Sequence, residues 1–257
     1  MGRVMIKVVV PISGGKDSQA CLKLALQDYD KDEVIGLFCD TQFEHPLTYA
    51  HIDKMREMYG VKIERITAGS VPEQVLKHKM FPGGGARFCT DRLKITPSRI
   101  FYKALAEKNG GFEVWLGMRT GESSARAKRY MDKINTETYP PHEALKSYPK
   151  YLHKMGVYFR LPVIDWETHD VFEFLSGEES PLYAKGCERV GCFPCLASAD
   201  RKKEHDFVMD QFGREQRIIV AELERKIGKS IFTSKGGAMR NNENQDDIFS
   251  GCSFCAI

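Results

Sequence analysis

The sequence predicts an α/β protein: a mainly parallel sheet with helices on both faces, followed by a cysteine-rich C-terminal region. Three observations predict it. Short β-branched apolar runs alternate with segments of helical periodicity, the pattern of parallel strands joined by helical crossovers. A glycine-rich turn joins the first strand to the first helix. Of 257 residues, 42% are hydrophobic and 28% charged, which excludes a mostly disordered chain.

The elements follow in order. Met5–Ile12 reads as a short, continuous, buried strand. After the turn Ser13–Ser18, a helix runs through Leu22, Leu24, Ala25 and Leu26. Val34–Phe38 is a second strand, ending at Cys39-Asp40-Thr41. His45–Tyr59 carries Ile52, Met55 and Met58 at helical spacing, and Gly60 stops it. Val61–Ile66 alternates as a third strand. Thr96–Lys108 is a helix with Pro97 in its first turn. Phe112–Leu116 is a fourth strand and Val157–Ile164 a fifth, interrupted by Pro162. Thr168–Leu175 is a short helix and Lys202–Ile227 a long one. Lys128–Lys154, polar and proline-containing, reads as an irregular insertion, and Ser230–Ile257, rich in Gly and Asn, as a mobile tail.

Charge is nearly balanced, at +3, so general nucleic-acid binding is not indicated, although a local basic groove stays open. No apolar run reaches the length of about 18 residues that a membrane span needs, and no export signal is read at the N-terminus. The expected location is cytoplasmic, with no membrane partner. Eight cysteines in such a chain suggest metal or redox chemistry more than a disulfide framework.

Ser13-Gly14-Gly15-Lys16-Asp17-Ser18 lies between a strand and a helix. There, inward amides, a helix N-terminus and the Lys16 cation favour an anion. The string is not a Walker motif. It resembles the pyrophosphate loop, Ser-Gly-Gly-x-Asp-Ser, of the adenine nucleotide alpha-hydrolase-like (PP-loop) superfamily. Further segments resemble its phosphoadenylyl sulfate (PAPS) and adenylyl sulfate (APS) reductases. They are Asp40 to Tyr49, Trp115-Leu116-Gly117-Met118-Arg119 through Arg126, and Leu161-Pro162-Val163-Ile164-Asp165-Trp166. The resemblance implies a Rossmann-like fold, with a PP-loop unit over residues 1–180 and a cysteine-containing helical region and tail over 181–257. It implies adenine-nucleotide binding by Ser13, Gly14, Gly15, Lys16, Asp17, Ser18, Asp40, Arg119 and Arg126. Strand ends of a parallel sheet converge on one crevice. Asp40 is therefore expected to meet a ribose or Mg²⁺, and the two arginines to clamp phosphate or sulfate. Glu122 is either a metal ligand or an arginine's partner.

Cys192-Phe193-Pro194-Cys195 is a C-x-x-C, extended by Cys187. Upstream stands Cys89-Thr90-Asp91-Arg92-Leu93-Lys94. APS reductases hold a [4Fe–4S] cluster with an upstream Cys-Cys pair and a downstream C-x-x-C; here Phe88 replaces one of the pair. Other iron–sulfur members of the superfamily, with Cys-Thr-x-x-Leu-Lys and Gly-Cys-x-x-Cys, resemble this variant. The resemblance implies a [4Fe–4S] cluster on Cys89, Cys192 and Cys195, its fourth ligand being Cys252, or alternatively Cys187 or Cys255. Structural Zn²⁺ and redox dithiols are the competing readings, while Cys21 and Cys39 are expected to be simply buried. Sulfonucleotide reductases attack with a cysteine inside a C-terminal Glu-Cys-Gly-[Ile/Leu]-His; this chain has Gly251-Cys252-Ser253-Phe254-Cys255 instead. Lys16 and Cys255 are the catalytic candidates, with Lys16 or His45 lowering a thiolate's pKa.

Two functions follow as expectations. In the first, a tail thiolate attacks the sulfur of APS or PAPS and displaces AMP or PAP, and a thioredoxin-type dithiol releases sulfite. In the second, an ATP pyrophosphatase-type enzyme adenylates a tRNA, DNA or small-molecule substrate for sulfur transfer.

Overall fold

The computed structural model describes residues 4–83 and 86–232. Cys252 and Cys255 lie outside the described residues. The strands are β1 (Val8–Ile12), β2 (Val34–Asp40), β3 (Lys62–Thr67), β4 (Phe112–Trp115), β5 (Thr138–Tyr139) and β6 (Val157–Arg160). They form one sheet in the order β3-β2-β1-β4-β6-β5. All pairings are parallel except β5 on β6. The helices are α1 (Lys16–Asp28), α2 (Pro46–Tyr59), α3 (Val71–His78), α4 (Phe88–Thr90), α5 (Thr96–Asn109), α6 (Ser124–Tyr130), α7 (Pro141–Ala144), α8 (Lys150–Lys154), α9 (Thr168–Leu175), α10 (Asp200–Val208) and α11 (Gln211–Ile227). The Rossmann-like α/β architecture is the one the sequence predicts.

β1 is apolar throughout because both its faces are covered. Val8, Val10 and Ile12 pack with Leu22, Met55 and Val171 from α1, α2 and α9. Val9 faces the other way, into a core with Tyr102, Val114 and Phe159. Chain order reverses between β1 and β4. Crevices in such sheets form at the carboxyl ends of the strands at that reversal, so the loops after β1 and β4 are the ones that meet.

Four expectations are corrected. The region 128–154 is not an irregular insertion: it supplies β5, α7 and α8, and buries Tyr139, Tyr148 and Leu152 in the second core. Its apolar residues are too sparse for periodicity, and long-range burial fixes them. Helix α3 was not anticipated; Ser70 and Glu73 close a capping box at its start. β6 ends at Arg160, before Pro162. The single long helix over 202–227 is two, because Asp210 starts α11 by accepting from the Gly213 amide at 3.0 Å. A side chain at Gly213 would meet the Asp206 carbonyl at 2.2 Å, so only glycine lets the two helices turn there.

A third core holds the C-terminal helices to the sheet. Phe43, Val71, Leu93, Leu196, Phe207 and Val220 pack together, with Cys89 and Cys192 against them. No helix among the described residues is long and apolar enough to cross a membrane.

Candidate functional site

The phosphate loop is folded by its own polar groups. Ser18 Oγ donates to the Gly15 carbonyl at 2.8 Å and accepts from the Ser13 amide at 3.2 Å. The Gly15 amide reaches Ser13 Oγ at 3.3 Å. Gly14 has φ +74°, a conformation that favours glycine. Across the sheet reversal, Gly117 presses on this loop: a Cβ there would stand 2.7 Å from the Asp17 carbonyl and 2.8 Å from the Ser18 amide.

Between these segments lies a cavity of about 220 Å³. Ser13, Gly15, Lys16, Asp17 and Ser18 form one wall, Gly117, Glu122 and Arg126 another, and Tyr183, Arg189 and Val190 a third. Lys16 is buried, its Nζ 3.5 Å from Asp17 Oδ2 and over the rings of Phe172 and Tyr183. Burial lowers its pKa, with Arg119 and Arg189 adding to the fall and Asp17 opposing it. The Lys16 amide donates to Tyr183 Oη at 2.9 Å.

The two arginines expected to clamp an anion separate. Arg126 lines the cavity and is ion-paired to Glu122, whose other oxygen takes Arg189 at 3.0 Å. Burial lowers the Arg126 pKa, and the positive fields of Arg189 and Arg87 lower it further. Arg119 is instead 3% exposed. Its Nε donates to Asp17 at 2.6 Å, Nη1 to the Trp166 carbonyl at 3.2 Å, and Nη2 to Thr168 at 3.3 Å. Arg119 is thus a positioning residue that ties the loop after β4 to the phosphate loop. Arg189 and Tyr183 were missed by sequence reasoning: Arg189 stands at a variable position between Cys187 and Cys192, and Tyr183 precedes that cysteine motif.

Asp40 also turns out to be internally engaged. Burial would raise its pKa, but bonds from Arg65 at 2.6 Å, the Gln42 amide at 2.8 Å and Tyr49 at 2.8 Å hold it below the usual carboxylate range. It organises the end of β2 and is not among the residues that line the cavity. His45 caps α2 through Leu47 and pairs with Asp210 at 3.0 Å, between Phe193 and Phe212. It does not line the anion cavity.

The three described candidate ligands gather from distant segments. Cys192 is bridged to Glu44 by backbone pairing, and the Phe193 amide donates to Phe43 at 2.6 Å. Cys192 Sγ lies 3.2 Å from Thr41 Oγ1 and 3.9 Å from Glu44. Cys89 is the middle residue of α4, whose chain continues through a single π-helical turn carrying Lys94. The Lys94 pKa is raised, first by Cys192, against burial, with Glu44, Cys195 and Cys89 adding. Burial pushes the Cys89 and Cys192 thiols up, and so also the Glu44 carboxyl. Cys187 packs elsewhere, with Leu182 and Phe193, and burial raises its pKa to about 11. Cys21 is buried in α1, and Cys39 Sγ lies 3.3 Å from Ser98.

Soft thiols around a cation have the right donor chemistry for a thiolate-ligated metal or cluster. Among the described residues no three His, Cys, Asp or Glu side chains are grouped closely enough to hold a single metal ion.

Residues 7–198 match the model of the phosphoadenosine phosphosulfate reductase domain. The chain belongs to that family. A relative in Methanocaldococcus jannaschii, an uncharacterised protein, is 31% identical over 195 residues, covering 74% of this chain but 36% of its own length. The phosphoadenosine 5′-phosphosulfate reductase of Citrobacter koseri is 25% identical over 181 residues, covering 67% of this chain and 64% of that enzyme. A solved U34-tRNA thiolase from Methanococcus maripaludis, with its [4Fe–4S] cluster, is similar over 88% of this chain and 73% of its own, at 19% identity and a TM-score of 0.46. The chain therefore spans only about a third of one curated relative and under two thirds of another.

Proposed function

We propose that this member of the family is an enzyme that binds an adenine nucleotide or sulfonucleotide at Ser13–Ser18 and performs sulfur chemistry with thiols beside it. The observation that carries this reading is that the anion cavity and the thiol group share the chain segment 189–192, and that the charge of Arg87, near Cys89, is felt at Arg126 in the cavity wall. Arg189 and Val190 line the cavity and Cys192 follows them. Arg87 lies within electrostatic range of Arg126, and Cys89 follows it. A phosphate held by Lys16, Arg126 and Arg189 sits in a field of three cations, with Asp17 and Glu122 holding those cations in place. The loss of Arg126 or Arg189 removes one charge-assisted bond, worth about 1.5–3 kcal/mol.

Cys89, Cys192 and Cys195 are the described residues that would hold an iron–sulfur cluster, with Cys252 as fourth ligand. Such a cluster would supply redox and electrostatic chemistry at that wall. Zn²⁺ is the competing occupant. Anaerobically purified protein should be brown, with iron and acid-labile sulfide that Cys89→Ser loses and Cys21→Ser keeps. A colourless protein with stoichiometric zinc overturns the cluster.

Two reactions suit the cavity. In sulfonucleotide reduction, Cys255 attacks the sulfate sulfur, AMP or PAP leaves, and a thioredoxin-type dithiol releases sulfite. In the ATP pyrophosphatase-type reaction, a substrate oxygen is adenylated and pyrophosphate leaves; Gly251-Cys252-Ser253-Phe254-Cys255 in place of Glu-Cys-Gly-[Ile/Leu]-His favours this second reading, and the Leu161–Trp166 resemblance favours the first. Sulfite release from labelled APS or PAPS, assayed beside pyrophosphate release from ATP, separates them. Calorimetry with ATP, AMP and PAPS tests the shared premise: Lys16→Ala, Arg126→Ala and Arg189→Ala should each weaken binding about tenfold or more. Unchanged affinity for all three ligands refutes it.

A further inference from the structure

The phosphate loop spends part of its hydrogen-bonding capacity inside the protein. The Ser13 amide donates to Ser18 Oγ at 3.2 Å, the Gly15 amide to Ser13 Oγ at 3.3 Å, and the Lys16 amide to Tyr183 Oη at 2.9 Å. The last bond is of another kind, because its acceptor comes from 167 positions away and carries a proton of its own. A tyrosine hydroxyl both accepts and donates. Among the described residues no acceptor takes the Tyr183 O–H.

The hydroxyl stands at the wall of the nucleotide cavity. Tyr183 lines it, and so do Gly15 and Lys16, the loop residues against which its oxygen rests. A Cβ added to Gly15 would lie 3.3 Å from Tyr183 Oη, so the hydroxyl is seated closely on the loop. The ring is fixed there. It meets Phe172 edge-on at 5.4 Å, and Lys16 Nζ stands over its face, 5.3 Å from the centroid. Burial pushes the phenol pKa up; the Lys16 amide and Arg189 oppose the rise, and Asp17 and Cys187 add to it. The group therefore keeps its proton at neutral pH. A phenol whose oxygen accepts from an amide is also a stronger donor. Beside it the same cavity presents the Lys16 ammonium and the Arg189 guanidinium, which can only donate. A ligand oxyanion, which brings acceptors and negative charge, suits all three.

We propose that Tyr183 is a ligand-binding residue of this cavity: its hydroxyl, set by the Lys16 amide, donates to a phosphate or sulfate oxygen of the bound nucleotide. The Lys16 amide then acts on the anion through the hydroxyl rather than directly. The assignment rests on the reading of the cavity as a nucleotide site.

The test uses the full chain and calorimetric titration with ATP, APS and inorganic pyrophosphate. Tyr183→Phe keeps the ring and deletes the hydroxyl. It should weaken at least one ligand by about tenfold, the loss of one hydrogen bond to a charged group. A loss shared by ATP and pyrophosphate assigns a phosphate oxygen, and a loss with APS alone assigns the sulfate. Phe also leaves the Lys16 amide without its acceptor, so a second substitution separates contact from support. Site-specific 3-fluorotyrosine at position 183 is a more acidic phenol, hence a better donor and a poorer acceptor. It should tighten the same ligand by about twofold, a fraction of the full bond. Equal or weaker binding by the fluorinated protein means that the hydroxyl only braces the loop, and overturns the proposal. So does unchanged affinity of Tyr183→Phe for every ligand, or tighter binding, which would make the hydroxyl a plug over the Lys16 amide. If Lys16→Ala is impaired while Tyr183→Phe is not, only this proposal falls. If the parent binds none of the three ligands, the nucleotide reading falls with it.

Discussion

Arg119→Ala tests whether this guanidinium positions the phosphate loop or grips a ligand. The substitution removes a 2.6 Å bond to Asp17 and the bonds to the Trp166 carbonyl and Thr168. The Asp17 side chain, 16% exposed, keeps only the 3.5 Å contact with Lys16. Breaking a buried ion pair by deleting one partner costs 3–5 kcal/mol. Because Lys16 still offsets part of the Asp17 charge, about 3 kcal/mol is expected. For a chain of this size 1 kcal/mol moves the melting temperature by about 2–4 °C, so the fall should be about 6–12 °C. Calorimetric melting with and without ATP measures it. A double-mutant cycle with Asp17→Asn should give a coupling of about 1 kcal/mol or more, since the two groups touch. If Arg119→Ala melts within about 1 °C of the parent yet loses nucleotide affinity, the positioning argument is wrong and the guanidinium is a clamp.

Other outcomes follow from the same geometry. His51 is neutral in the fold, with its pKa lowered from 6.5 to about 4. The unfolded chain binds that proton first, so stability should fall as pH drops from about 6.5 to 4 and level off below, by about 3 kcal/mol in all. Denaturation midpoints across this window should fall more steeply with acid in the parent than in His51→Gln, because the variant lacks this one proton-binding difference. Asp210→Ala removes the cap of α11 and the partner of His45; a loss of about 1–2 kcal/mol in urea unfolding is expected, and no loss would mean that the break between α10 and α11 is set by Gly213 alone. Gly117→Ala places a Cβ against the backbone of Asp17 and Ser18, so it should cost about 1–3 kcal/mol and weaken ATP binding together; a variant normal in both would refute the tight approach of the two loops.

The sequence by itself determined the parallel sheet and the phosphate loop. β1 and β2 are apolar because both faces are covered, and Ser13–Ser18 joins a strand to a helix with glycines where the backbone must turn. These are local signals, readable without knowing what lies opposite. The sequence also marked Cys89, Cys192 and Cys195 as a set, and the third core brings their segments together. What only the tertiary structure decided was which charges face the cavity. Arg119 and Arg126 belong to one motif and look equivalent in the chain. Arg119 is drawn inward by Asp17, 102 positions away, while Arg126 shares Glu122 with Arg189 from the distant cysteine-containing segment. Asp40 was likewise turned inward by Arg65 on the neighbouring strand. A buried charge goes where its counter-charge is, and the counter-charges here come from other strands and loops, so the direction of each side chain is settled only when the chain has folded.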